Sequence, residues 1–302
     1  MVQLKSVSKP VAATLEAAAA PSPRKTTAGA GGVATSEASR SARLLGRGKS
    51  DQPLRREFVT SPVLETVIGV DERVRILDTD LAPWRMICSL TMQAGGGSAI
   101  GTGWLVGPRT VITAGHCVFS NLFFGGWAQS ITVIPGRDGS EIPFGQTVAT
   151  RFAANDLWVA NEDPDFDIGC IHLEEPLGDT VGWFAVGALP DAELTDFLIN
   201  VSGYPGDRGN GREQYFHKNR ILRVTDRRIF YDVDTFGGQS GAPAWIYPEG
   251  SDDPLAVGIH AYGTGGTPST FGITANSAPR IIPEVFDLIQ SWIAEDTPAE
   301  AP

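Results

Sequence analysis

The sequence predicts an all-β protein of two packed barrels, with a disordered N-terminal leader and one C-terminal α-helix. Three observations predict it. Short runs of strand-forming residues recur from about Val63 onward, each bounded by Gly, Pro, Asn or Asp. Gly, at 35 residues, and Pro, at 21, are numerous enough to serve many tight turns. Helical periodicity is confined to the last part of the chain.

Residues 1–65 form the expected leader. They are rich in Ala, Ser, Thr, Gly and basic residues and nearly lack aromatics, so they cannot bury enough apolar surface to offset their ordering entropy. They also lack the pattern of a signal peptide, because Glu16 interrupts the apolar stretch Val11–Ala20. The expected folded part is 66–302. Its strand-like runs are Met86–Met92, Gly103–Val106, Thr110–Ile112, Ser130–Ile134 and Ile168–Leu173, then Leu198–Ser202, Ile221–Thr225, Ile229–Val233, Ala242–Ile246 and Ala256–Ile259. A break near Glu175–Glu193 divides them, which places the barrels at about 81–175 and 194–275. Ile282, Val285, Phe286, Ile289, Trp292 and Ile293 then repeat with helical period, and Pro283 suits the first turn of a helix over about 281–295.

Composition removes several function classes. Residues 1–65 carry 10 Lys/Arg against 5 Asp/Glu, whereas residues 66–302 carry 14 against 30. So acidic a body is a poor match for nucleic acid, which calls for basic surface. No apolar run of about 18 residues is present to form a membrane-spanning helix. Metal sites would need a tighter grouping of His, Cys and carboxylates than the sequence displays, so no metal and no cofactor is expected. A dinucleotide reading of Gly101–Gly107 fails because neither the spacing nor a following helix is present. The three cysteines allow at most one internal disulfide. Cys170 reads as a buried small hydrophobe, while pairing of Cys88 with Cys117 stays open. Oligomeric state is not legible.

Chemistry concentrates in three places. His116 follows a strand-like run in Thr113-Ala114-Gly115-His116-Cys117. Asp167 heads the run beginning Ile168. Ser240 lies in Gly237-Gly238-Gln239-Ser240-Gly241-Ala242-Pro243. A serine hydroxyl is a weak nucleophile that needs a base within hydrogen-bond reach, and that base needs a third group to fix its tautomer. The expected roles are therefore His116 as base, Asp167 as orienter and Ser240 as nucleophile. The glycines before Ser240 let the backbone turn so that the Gly238 and Ser240 amides face one developing oxyanion.

The order His, Asp, Ser resembles that of the trypsin-like serine peptidases. Within them the chain resembles the bacterial glutamyl endopeptidases, from about Val67 to the C-terminal helix. Residues 101–117 resemble the family's histidine segment, 167–171 its aspartate strand, Ser202–Asp207 a strand-turn of this branch, and Tyr231–Pro243 its serine segment. Val257–His260 resembles the strand that carries the branch's specificity histidine. The resemblance implies a chymotrypsin-like double β-barrel with the active site in the cleft, and cleavage of polypeptides after Glu, less readily Asp. It implies that His260 and the Thr235 hydroxyl hold the substrate carboxylate. It also implies secretion and a mature start near Val67, with a cut after Glu65 or Thr66. Gln239 departs from the Asp of pancreatic-type trypsins and cannot form their ion pair with a new N-terminus. Phe236 stands where the branch often has a small residue. His217, in a basic stretch, reads as a solvated strand face, and His172 as a surface residue. Two alternatives remain: the same chemistry with another side-chain preference, and a protease-like scaffold acting as a binding module.

Overall fold

The structure, a computed structural model, describes residues 4–10, 65–95 and 97–297. Most of the expected leader lies outside the described residues. The first half of the chain contributes β1 (Ser6–Ser8), β2 (Val74–Arg75), β3 (Ile87–Ala94), β4 (Gly97–Leu105), β5 (Thr110–Thr113), β6 (Phe119–Ser120), β7 (Gly126–Trp127), β8 (Ser130–Pro135), β9 (Thr147–Ala149), β10 (Arg151–Asn155) and β11 (Gly169–His172). The second half contributes β12 (Ala185–Val186), β13 (Leu198–Gly203), β14 (Tyr215–Val224), β15 (Arg228–Tyr231), β16 (Pro243–Ile246), β17 (Leu255–Ile259) and β18 (Asn276–Pro279). Three short helical turns, α1 (Gly115–Val118), α2 (Asp156–Asn161) and α3 (Gly178–Val181), precede the longer α4 (Pro283–Asp296).

Among the described residues the strands form two large sheets. The first has the order β1-β10-β11-β5-β4-β3-β8-β9. Thr150 alone separates β9 from β10, so the chain turns from one flank of the sheet directly into the other and the sheet curls on itself. The second has the order β12-β17-β16-β13-β14-β15-β18, with β2 added to β14. A bridge between Gly258 and Arg280, reinforced by the Ile281 amide donating to Val257 O at 2.8 Å, links β17 to the residues just after β18. The fold is the expected chymotrypsin-like double β-barrel, and all ten strand-like runs fall on strands.

Strand propensity explains most of these elements. Ile87–Leu90 is buried throughout, as are Thr110–Thr113 and Arg228–Tyr231. An aromatic seam joins the two sheets: Trp104 of β4 packs edge-on against Phe184 at 5.6 Å, and Phe184 against Trp245 of β16 at 5.6 Å. Cys88, Cys117 and Cys170 are all buried as free thiols. Within the expected leader, Ser6–Ser8 does have structure, pairing antiparallel with Ala153–Asn155 of β10. Among the described residues no helix is long and apolar enough to cross a membrane.

Helix α4 starts with Pro283 in its first turn, where a missing N–H costs nothing. It buries Val285, Leu288, Ile289 and Trp292, and Trp292 Nε1 donates to Ser6 Oγ at 2.9 Å. Its last residue is an aspartate, the wrong charge for a helix C-terminus. The first barrel compensates for it: Asp296 accepts from Thr110 Oγ1 at 2.7 Å and pairs with His172 Nδ1 at 2.9 Å. His172 is therefore not a surface residue but a buried one, 3% exposed, that docks the helix.

Asp296→Ala strands a buried hydroxyl and a buried imidazole without acceptors, and should lower unfolding stability by about 2 kcal/mol. An unchanged urea midpoint would show that the pair contributes nothing.

Candidate active site

His116 lies in α1, directly after β5. The turn presses Gly115 against the Trp158 indole, where a Cβ would come within 2.6 Å of the ring. Asp167 follows a 3-10 turn, Pro164–Phe166, whose start is capped by the Asp163 carboxylate accepting from the Asp165 amide at 3.1 Å. The Asp167 carboxylate is fully buried and receives three donors. These are the His116 amide at 2.8 Å, His116 Nδ1 at 2.7 Å and the Tyr262 hydroxyl at 2.6 Å. Burial opposes a charge on His116, but the Asp167 charge and hydrogen bond outweigh it and hold the imidazole well above its ordinary value.

The Ser240 loop is fastened to the first barrel by Thr102 of β4. The Thr102 amide donates to Ser240 O at 2.9 Å, and its hydroxyl donates to Gly238 O at 2.8 Å while accepting from the Tyr204 amide at 3.0 Å. The Cys117 thiol lies 3.7 Å from the same Ser240 carbonyl. These contacts bring the serine loop against the segment carrying His116. Gly238 has φ +107°, and a Cβ there would come within 2.6 Å of Tyr204 O. Among the described residues neither the Gly238 nor the Ser240 amide donates to another protein group.

Two residues singled out by the sequence, Thr235 and His260, are both fully buried, and the His260 carbonyl accepts from the Gly241 amide, next to Ser240, at 2.6 Å. The Tyr231 hydroxyl and His260 Nδ1 are 2.6 Å apart. Burial, reinforced by the His116 charge, lowers the His260 pKa to about 3, so the ring is neutral. His260 Nε2 and Thr235 Oγ1 have no hydrogen-bond partner among the described residues. Phe236 is 39% exposed, with the Arg73 guanidinium 5.9 Å from its ring. Gln239 is buried and accepts from the Phe236 amide at 3.1 Å.

His217 is not a solvated residue. Its Nδ1 accepts the Asp234 amide at 2.7 Å, which steadies the backbone next to Thr235. Asp234 in turn accepts from the amides of Ile68 at 2.6 Å and Glu72 at 2.9 Å. Glu72, His217 and Asp234 are the one group of described residues close enough to share a cation. Their geometry fits poorly, because N–H donors already occupy Asp234 and His217 Nδ1. Farther along, Arg73 bridges Asp71 and Asp207 at 2.9 and 2.6 Å and ties this segment to the Ser202–Asp207 turn.

The Glu65 carboxyl, 4% exposed, is hydrogen-bonded to the Ser240 hydroxyl. Burial raises its pKa to about 7, against the opposing pull of Ser240 and the His116 charge. A carboxyl oxygen, rather than the Glu65 peptide carbonyl, meets the Ser240 hydroxyl. The contact therefore covers Ser240 without offering it a bond to cut.

Residues 101–251 match the trypsin-like peptidase domain family. The chain belongs to that family, and by class it is a serine endopeptidase. It is 33% identical over 255 residues to a glutamyl endopeptidase of Bacillus licheniformis, covering 82% of this chain and 77% of that protein. It is 35% identical over 230 residues to a Bacillus subtilis protein named extracellular metalloprotease, covering 75% and 69% respectively. A solved structure of a Glu endopeptidase superposes with a TM-score of 0.65 at 28% identity, covering 76% of this chain and all of that one.

In chains that retain Met1, Glu65→Ala should let a serine-directed covalent probe label Ser240 about tenfold faster than Glu65→Gln, which keeps a neutral hydrogen-bonding group there. A carboxyl whose pKa is raised on docking holds its proton from 4.5 up to about 7, so docking weakens as pH rises through that window. Labelling of the wild type relative to Glu65→Gln should accordingly increase across it. Equal rates for all three chains at every pH would dismiss the contact.

Proposed function

We propose that this chain hydrolyses peptide bonds after Glu, less readily Asp, through His116, Asp167 and Ser240. The observation that carries the reading is the His116 imidazole held by the buried Asp167 carboxylate, beside a serine loop with two amides unpartnered among the described residues. Asp167 holds His116 Nδ1 as the donor, which leaves Nε2 to take the Ser240 proton as Oγ attacks the scissile carbonyl. The Gly238 and Ser240 amides receive the oxyanion, each such donor contributing about 3 kcal/mol to the transition state. The protonated imidazole gives its proton to the leaving amine, and water then releases the acyl-enzyme by the same route.

The Glu preference is supported by His260 Nε2 and Thr235 Oγ1, two buried polar atoms without hydrogen-bond partners among the described residues. Burying them unsatisfied is costly, and an entering carboxylate relieves the cost. We assign residues 1–65 as a leader and 66–302 as the peptidase domain, with barrels at about 81–175 and 194–275. The bond after Glu65 fits the proposed preference. Because the Glu65 side chain, not its carbonyl, meets Ser240, a second molecule is the better candidate to cut it. N-terminal sequencing of active material should read Thr66 or Val67, and full activity in chains that keep Met1 would refute that cut.

Profiling with a mixed peptide library should return Glu before the cut, and His260→Leu should depress Glu substrates far more than others. Equal loss on all substrates would remove the specificity role. Ser240→Ala should lower turnover by roughly 10⁶-fold with the fold intact. A wild-type protein that neither turns over peptides nor takes the covalent probe after leader removal would favour a binding scaffold. Because Asp167 raises His116, and the base must be unprotonated to act, kcat/KM should climb with pH along an acid limb centred above 6.5. A limb centred lower would contradict the role of the Asp167 charge.

A further inference from the structure

We infer that Tyr231 is a positioning residue for substrate selection: its hydroxyl donates to His260 Nδ1, fixing the ring as the Nε2–H tautomer and making the pocket a donor for an anionic side chain. The inference rests on the Glu preference proposed above and assigns its sign to a residue that touches no substrate.

The argument is one of hydrogen-bond accounting. Tyr231 and His260 are both fully buried, and their polar atoms meet at 2.6 Å. Two assignments of the protons fit that distance. In one, His260 Nδ1–H donates to the tyrosine oxygen. The phenolic proton then has no acceptor among the described residues, and Nε2 becomes a bare buried lone pair. In the other, Tyr231 donates to Nδ1, the phenolic proton is satisfied, and only the Nε2–H is left over. The second leaves fewer buried groups unpaired, and each such group costs roughly 1–3 kcal/mol. A cationic ring, which would donate from both nitrogens, is disfavoured by burial and by the neighbouring His116 charge.

The leftover group decides what the pocket accepts. An Nε2–H pairs with a carboxylate. An Nε2 lone pair would instead accept from an amide NH₂ and repel a carboxylate. The site is within electrostatic reach of a carboxyl, since Glu65 at Ser240 perturbs the Tyr231 phenol, raised chiefly by burial and further by that charge. Tyr231 therefore selects against Gln, the neutral isostere of Glu, without contacting either.

Two measurements test this. In the full chain labelled with nitrogen-15 in its histidine rings, the His260 nitrogen shifts should report a proton on Nε2 and none on Nδ1. A proton on Nδ1, or a ring cationic at neutral pH, would overturn the inference. In kinetics on paired Glu and Gln peptides, Tyr231→Phe should cut the Glu:Gln ratio of kcat/KM about tenfold, mainly through KM for Glu, with kcat on the Gln peptide held. A variant that slows both peptides alike, or keeps the wild-type ratio within about twofold, would also overturn it. If the wild type itself cleaves Gln as readily as Glu, the Glu preference fails instead, whatever the ring nitrogens show. If Tyr231→Phe does not fold, the nitrogen shifts of the wild type still decide the tautomer.

Discussion

Ser240 reaches the first barrel because the residue after it has no side chain. Gly241 sits at φ +86°, and a Cβ there would overlap Thr102 O, Thr113 Oγ1 and the Ala114 amide. That overlap involves the backbone of β4 and of Ala114, just after β5, so no side-chain rotation could relieve it. The close approach lets the Thr102 amide take the Ser240 carbonyl and brings the serine loop beside the strand end from which His116 emerges. The His116–Asp167 pair belongs wholly to the first barrel. Ser240 meets it from the second barrel through this tight contact, reinforced by the Thr102 hydroxyl on Gly238 O.

Much of the fold was legible because β-branched and aromatic runs form strands wherever they are buried. What escaped notice lacked that signature. The sequence of β10, Arg-Phe-Ala-Ala-Asn, and that of β18, Asn-Ser-Ala-Pro, are strands only because neighbours supply the pairing. His116, Asp167 and Ser240 could be picked out because each sits in a local pattern with its own chemical sense. Tyr262 on Asp167 and Tyr231 on His260 could not, since each role arises from packing across elements far apart in sequence. His172 and His217 were misread for a related reason. An isolated histidine in a strand carries no sign of a partner, and the partner of His172 lies 124 residues away.

The acidic body sharpens the question of how an anionic side chain is received. Arg73, a buried arginine, is already committed to Asp71 and Asp207. Under the proposed Glu preference the carboxylate would meet neutral donors, a hydroxyl and an imidazole N–H, whose contribution depends on exclusion of water rather than on opposite charge.

The strand Ser6–Ser8 occupies the outer flank of β10, and through Ser6 it also touches Trp292 of the terminal helix. Detachment of the leader would bare that flank. The N–H and C=O groups of Ala153–Asn155 would then form an open ladder, the kind of margin to which a foreign extended segment can add. A three-residue strand has little hold of its own once its covalent tether is gone. The first sheet would trade a private neighbour for a vacant seat, and crowded protein solutions would be where that vacancy first made itself felt.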